Sequence, residues 1–263
     1  MSGRRLRKVN LLGTVGLLAL ALTPAIARAD RYVALGDSYS SGVGTRTYYP
    51  GSGGCQRSPR AYPALVAAQL GASLRFEACS GAETGDVLGG QLEPLSGSTD
   101  YVTISIGGND SGFSSVIARC AAPWPVNCDG AIGNAQSYIR NTLPGRLDSV
   151  FSAIRSRAPW ARVAVVGYPR LFNGRDCNLA TFFSPTEQAR LNQTADLLAA
   201  TEGGRAASFG FTFVDPRAAF SGHAVCDSGE WLNGLSSPVT ESYHPNLSGQ
   251  ASGYEPLVYA ALR

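Results

Sequence analysis

Only two residues in this 263-residue chain are histidine, His223 and His244, and no C-x-x-C pair occurs. A zinc-type centre therefore lacks its usual ligand spacing. Charge is also sparse, since Asp, Glu, Lys and Arg make up 16% of the chain. A long coiled coil or a charged disordered tail needs a far more charged composition. Of the 22 basic residues, Arg4, Arg5, Arg7, Lys8 and Arg28 lie within the first 29 positions. Without those five, 17 bases face 19 acids, and the net charge of +3 becomes −2. No basic run survives in that remainder, so nucleic-acid binding has no electrostatic footing. No stretch reaches the roughly 20 apolar residues that a membrane-spanning helix needs.

What is present begins with a leader. Arg4 to Lys8 form a charged start, Leu11 to Leu22 an apolar run of twelve, and Ala27-Arg28-Ala29 a small-x-small cleavage site. This is the pattern of a secretory signal peptide over residues 1–29. It predicts a mature chain of residues 30–263 outside the cytosol. Six cysteines follow in that chain. An even number in an oxidising compartment reads as three disulfides. Fifteen pairings are open, and the nearest-neighbour choice is Cys55–Cys79, Cys120–Cys128 and Cys177–Cys226.

Short apolar runs alternate with helical patterns. Tyr32–Leu35, Leu74–Ala78, Tyr101–Ile106, Val163–Val166 and Phe211–Val214 read as five strands. Leu143, Leu147, Val150, Phe151 and Ile154 follow one helical stripe. Ser184-Pro185-Thr186-Glu187 is a capping box that opens a helix through Leu191, Ala195 and Leu198 to Gly203-Gly204. A last helix after Pro245 carries Leu257, Val258 and Leu262. Strand–helix–strand order predicts one α/β domain over residues 30–263 with a parallel central sheet. The Gly-, Ser- and Pro-rich stretches at 48–58 and 121–130 read as surface loops stapled by disulfides.

Ligands of an open parallel sheet gather outside the carboxyl ends of its strands. The first three strand ends carry Gly36-Asp37-Ser38-Tyr39-Ser40-Ser41-Gly42, Cys79-Ser80-Gly81-Ala82 and Gly107-Gly108-Asn109-Asp110. They offer a hydroxyl, a glycine backbone and a carboxamide. Acyl transfer needs a nucleophile and donors aimed at the developing oxyanion. It also needs a base, which only His223 or His244 can supply as an imidazole. His244, in Glu241-Ser242-Tyr243-His244-Pro245 ahead of the last helix, is the better placed. Each motif alone also fits an ordinary N-cap or turn.

Gly36-Asp37-Ser38, Gly81, Gly107-Gly108-Asn109-Asp110 and His244, in that order, resemble the four blocks of the GDSL, or SGNH, hydrolases. The six cysteines and the stretches 34–42 and 241–245 are similar, more narrowly, to the secreted streptomycete lipases and esterases of that family. The resemblance runs from about Arg31 to the C-terminus. It implies a flavodoxin-like three-layer αβα sandwich with a five-stranded parallel sheet. It implies Ser38 as nucleophile, His244 as general base, and an oxyanion hole of the Ser38 and Gly81 N–H groups with the Asn109 side chain. Two positions depart from the pattern. Tyr39 replaces the Leu of the family name, and Glu241 replaces an Asp that many members carry three residues before the His. Some members orient the His through a backbone carbonyl, and here Ser242 takes that place, with Glu241 as the alternative.

The expected function is a secreted serine esterase or lipase that hydrolyses carboxylic esters of fatty acids, such as triacylglycerols. It works through an acyl-enzyme without metal or cofactor. Tyr39, Val43, Tyr48, Tyr49 and Phe113 are candidates to line an acyl pocket. The expected partners are a lipid or small ester and, transiently, a lipid interface; the protein is expected to be a monomer. Alternatives are a phospholipase A1, a polysaccharide acetyl esterase and a non-catalytic, disulfide-stapled binding protein.

Overall fold

The computed structural model describes Met1, Gly3 and residues 29–263, so most of the leader read at residues 1–29 lies outside the described residues. Five strands form one sheet: β1 Arg31–Gly36, β2 Ser73–Phe76, β3 Tyr101–Ser105, β4 Arg162–Val166 and β5 Thr212–Val214. Their order is β2-β1-β3-β4-β5, and every pair is parallel. The central strands are apolar on both faces because helices cover both. Val33, Ala34, Leu35, Val102, Ile104, Val163, Ala164, Val165 and Val166 are all buried.

The helices are α1 Ser38–Ser41, α2 Tyr62–Leu70, α3 Thr84–Asp86, α4 Phe113–Cys120, α5 Asp129–Asn141, α6 Leu143–Arg157, α7 Pro185–Ser208 and α8 Glu255–Leu262. On one face of the sheet α2 packs on α8; on the other, α7 packs on α5 and α6. The result is the three-layer αβα arrangement. The stripe Leu143, Leu147, Val150, Phe151, Ile154 is wholly buried on α6. At α7 the capping box forms: Ser184 Oγ accepts from Glu187 N at 3.2 Å, and Glu187 Oε2 accepts from Ser184 N at 2.9 Å.

The expected end of α7 at Gly203-Gly204 is corrected, because the helix continues to Ser208. Gly203 is a packing residue there. A Cβ on it would lie 3.1 Å from Phe213 Cδ1 of β5, so glycine lets helix and strand approach. The loop read at 121–130 is shorter than expected, since α5 begins at Asp129. The helical segments α2, α4 and α5 add to the expected elements, and α2 is marked by Pro63 in its first turn and by Gly71, at φ +64, just past its end. Disulfides join Cys55–Cys79, Cys120–Cys128 and Cys177–Cys226. Each closes a loop and stabilises by roughly 2–4 kcal/mol. Among the described residues, no helix is long and apolar enough to cross a membrane.

Chain direction across the sheet reverses between β1 and β3. From β1 the chain moves outward to β2, then returns to the other side for β3. The loops leaving β1 and β3 diverge there and open a crevice. Gly36 ends β1 with φ +116, and a Cβ on it would sit 2.3 Å from Ser105 O. The Gln91 side chain grips both backbone groups of Gly36, with Oε1 accepting from its N at 2.7 Å and Nε2 donating to its O at 2.9 Å. The strand end is thereby held rigidly where the next residues turn into the crevice.

Candidate active site

Ser38 opens α1. Asp37 is the N-cap, and its Oδ1 accepts from Tyr39 N at 3.0 Å. Gly42, at φ +90, ends the helix after a single turn. Ser38 Oγ lies 2.8 Å from His244 Nε2, across 206 positions of sequence. His244 Nδ1 lies 2.9 Å from the Ser242 carbonyl oxygen. A carbonyl can only accept, so Nδ1 carries the proton and the Nε2 lone pair accepts from the Ser38 hydroxyl. Burial pushes the His244 pKa down to about 4, with the Ser242 carbonyl opposing the shift. The imidazole is therefore neutral at neutral pH and free to take a proton.

The chain around His244 is arranged for this contact. Tyr243 takes a left-handed conformation, φ +60, and turns the Ser242 carbonyl back under the ring two residues on. Asn233 pairs with the segment, its carbonyl accepting from Tyr243 N and its N–H donating to His244 O, both at 2.9 Å. Tyr39 Oη donates to the Tyr243 carbonyl at 2.7 Å, which ties the serine helix to the histidine loop.

Glu241 points elsewhere. Its Oε1 accepts from Tyr48 Oη at 2.6 Å, and Oε2 lies 3.5 Å from Arg46 Nε. His223 stands apart from Ser38. Its ring stacks on Trp231 with centroids 3.8 Å apart, and Nδ1 lies 2.6 Å from Gly229 O.

The other two motif loops meet beside β1. Cys79 N donates to Gly36 O at 2.9 Å, which seats the Cys79–Ala82 turn against the end of β1. Gly81 in that turn is exposed, with φ +81. The Cys55–Cys79 disulfide pins its base, and Ser80 N donates to Cys55 O at 3.1 Å. Asn109 Nδ2 donates to Ala82 O at 3.0 Å, using one of its two amide N–H groups. Asp110 accepts from Thr84 N and Oγ1, closing a second clasp between the same loops.

Next to these groups lies an apolar cavity of about 70 Å³, lined by Tyr39, Phe113, Ile139, Tyr168, Leu191 and Leu198 among others. On the far side of Phe113 and Ile117, a cleft of about 330 Å³ reaches His244. The expected pocket lining is corrected in part. Tyr39 and Phe113 line the cavity, but Val43 is core, Tyr48 holds Glu241, and Tyr49 packs edge-on against Phe76. The helical stripe Leu191, Ala195, Leu198 of α7 supplies wall that the motif-centred reading missed.

Two groups of Cys and Glu come close enough for a cation, Cys120, Cys128 and Glu187, and Cys177, Cys226 and Glu230. In both, the cysteines are bonded as disulfides, which leaves one carboxylate apiece.

Residues 34–251 match the model of the GDSL-like Lipase/Acylhydrolase family. The chain belongs to this family. It is a carboxylic ester hydrolase. Lipase 1 from Streptomyces coelicolor is 46% identical over 269 residues, covering 98% of this chain and 99% of that protein. The crystal structure of an extracellular lipase from Streptomyces rimosus superposes with a TM-score of 0.84 at 46% identity, covering 89% of this chain and all of the other. That of a phospholipase A1 from Streptomyces albidoflavus NA297 gives 0.85 at 45% identity, with the same coverage.

One buried group of this hydrolase stands out behind the site. Glu202 is fully buried on α7, one turn beyond Leu198, and neither carboxyl oxygen has a hydrogen-bond partner. Burial, with Asp37 and Asp215 nearby, raises its pKa well above the ordinary value. The folded protein keeps this carboxyl protonated while the unfolded chain ionises it. Its contribution is therefore complete below the unfolded pKa of about 4.3 and is lost as pH rises through the folded value. Glu202→Gln keeps the shape and cannot ionise. Its thermal midpoint should match wild type at and below the unfolded pKa of about 4.3 and exceed it increasingly as pH rises above that. Parallel midpoint–pH curves for the two proteins would contradict this account.

Proposed function

We propose that the chain is a secreted serine esterase of fatty acyl esters in which Ser38 attacks the ester carbonyl and His244 is the general base. The observation that carries the reading is the Ser38–His244–Ser242 relay set beside an apolar cavity. His244 takes the Ser38 proton at Nε2 as Oγ attacks. The oxyanion is met by the Ser38 and Gly81 N–H groups and the Asn109 amide. The imidazolium returns the proton to the departing alcohol, and water then cleaves the acyl-enzyme by the same steps in reverse.

The acyl chain runs into the cavity beside Tyr39 and Phe113, which favours chains longer than acetyl. We read the leader at residues 1–29 as the secretion signal and residues 30–263 as one domain acting as a monomer. Contact with a lipid interface is transient. No metal or cofactor enters this chemistry.

Relatives of near-equal identity bear the names lipase and phospholipase A1, so the headgroup is a matter for assay. A chain-length series of nitrophenyl esters, then emulsified triglyceride and phosphatidylcholine, tests the substrate class. Rates should rise from acetate to longer acyl esters, with at least one emulsified lipid hydrolysed. Preference for acetate with neither lipid cleaved would overturn the fatty acyl reading in favour of an acetyl esterase.

Orientation of His244 through the Ser242 carbonyl leads to a separate expectation. Removing a charged triad acid costs about 10⁴ in rate. Glu241→Ala, by contrast, should keep at least about a tenth of wild-type kcat in the folded fraction, while His244→Ala is nearly inactive. A loss near 10⁴ in folded Glu241→Ala would restore Glu241 to the triad.

A further inference from the structure

Three strand ends contribute motif residues, and a fourth carries Gly167-Tyr168-Pro169 directly after β4. Tyr168 is buried at 8% exposure. Its hydroxyl donates to Asp37 Oδ2 at 2.5 Å and accepts from Gly108 N at 3.3 Å. Asp37 is the N-cap of the helix that begins at Ser38, and Gly108 immediately precedes Asn109. The ring stands edge-on to Tyr39, with centroids 5.0 Å apart. It also packs so closely on Gly108 that a Cβ there would lie 3.2 Å from Cζ.

We propose that Tyr168 is a positioning residue whose single phenolic oxygen locks the turn bearing Ser38 and the turn bearing Asn109 into one register. The proposal rests on the roles assigned above to those two residues. Ser40 ties the same helix to the strand below, its Oγ lying 3.1 Å from Ser105 Oγ and accepting from Ser105 N at 3.2 Å, while Tyr168 reaches the Gly108 turn itself. A shift between the turns would move Asn109 relative to the carbon that Ser38 attacks. Misplacement of about 1 Å at a reacting centre can cost on the order of 10²-fold in rate. Tyr168 itself touches no reacting atom, so its effect falls on kcat.

Tyr168 also sets the ionisation of Asp37. The groups facing that carboxyl are Tyr168 from the β4 end, Tyr39 and Ser40 from α1, Tyr62 from α2, Asp110 from the β3 turn, Glu202 from α7, and Tyr254 just before α8. No cation is among them. Burial raises the Asp37 pKa to about 7, and the bond from Tyr168 opposes the rise. An ionised N-cap is the better acceptor for the α1 N–H groups. Loss of the phenol therefore moves Asp37 ionisation, and the activity that depends on it, toward higher pH.

Tyr168→Phe keeps the ring and removes the oxygen. On a soluble short-chain nitrophenyl ester, kcat should fall about 10-fold or more while KM changes less than about twofold. The rising limb of kcat against pH should shift to higher pH. Asp37→Ala removes the acceptor and severs the same link, and the double variant should lose little more than the worse single one. Wild-type kcat and pH profile in folded Tyr168→Phe, or fully additive losses in the double variant, would overturn the proposal. Ser38→Ala assayed alongside separates the two levels. An active Ser38→Ala overturns the nucleophile assignment, whereas an inactive Ser38→Ala with unimpaired Tyr168→Phe overturns only the positioning role.

Discussion

Ser38→Ala should lower kcat on a soluble ester by at least about 10⁴, leaving a folded protein that no serine-reactive phosphonate labels. Without Oγ no acyl-enzyme forms, and the residual rate is whatever the oxyanion donors and binding supply alone. The substitution is small and sits at 6% exposure. It leaves His244 Nε2 without the hydroxyl it accepts from, and an unmatched buried acceptor costs about 1–3 kcal/mol. The thermal midpoint should accordingly fall by a few degrees. Activity and midpoint are then read on the same preparation. Substantial turnover by folded Ser38→Ala would remove the nucleophile from the mechanism, and with it the acyl-enzyme.

Asn109→Ala should reduce kcat by about 10²–10³, or about 2.7–4 kcal/mol of transition-state stabilisation, with KM nearly unchanged. In the proposed role the amide meets charge that exists only once the carbonyl has been attacked, so ground-state binding would not use it. Asn109 also donates to Ala82 O and so helps hold the Gly81 turn. If that were its whole role, the variant would melt earlier but turn over normally while folded. Measuring kcat and the unfolding midpoint together decides the matter. Normal kcat with a lowered midpoint would assign Asn109 to the turn alone.

The sequence patterns that translated directly into structure were local ones. The apolar runs of the three central strands formed because a doubly covered parallel sheet needs continuous apolar segments, whereas the edge strand β2 alternates exposed and half-buried residues. Ser184 to Glu187 formed their capping box because both partners lie within one turn of helix. The misreading at Gly203-Gly204 has the opposite cause. Glycine there serves a long-range contact with Phe213, and a helix-stop rule sees only neighbours in sequence. The wall of the apolar cavity was half visible, as the α7 stripe Leu191, Ala195, Leu198. A helical stripe reveals which face is buried but not what it faces. Extending that stripe one turn reaches Glu202, a carboxyl on a core face and a legible warning of a perturbed group. Reading the fourth strand end as the first three were read leads to Tyr168.

By itself the sequence determined the class of fold and the short list of reactive groups. Strand–helix alternation settles a parallel sheet, and parallel sheets place their loops, with the Ser38, Gly81 and Asn109 motifs, at one edge. With two histidines in the chain, the choice of base was already narrow. Only the tertiary structure decided which contacts those groups make. The 2.8 Å approach of Ser38 and His244 joins residues 206 positions apart. The direction of the Ser242 carbonyl depends on a positive φ at Tyr243 that the surrounding bonds to Asn233 and Tyr39 hold in place. Glu241 turns to Tyr48 and Arg46. Hydrogen bonds act over about 3 Å and depend on angle. Such distances between remote segments are set by how the layers pack, which no local pattern encodes.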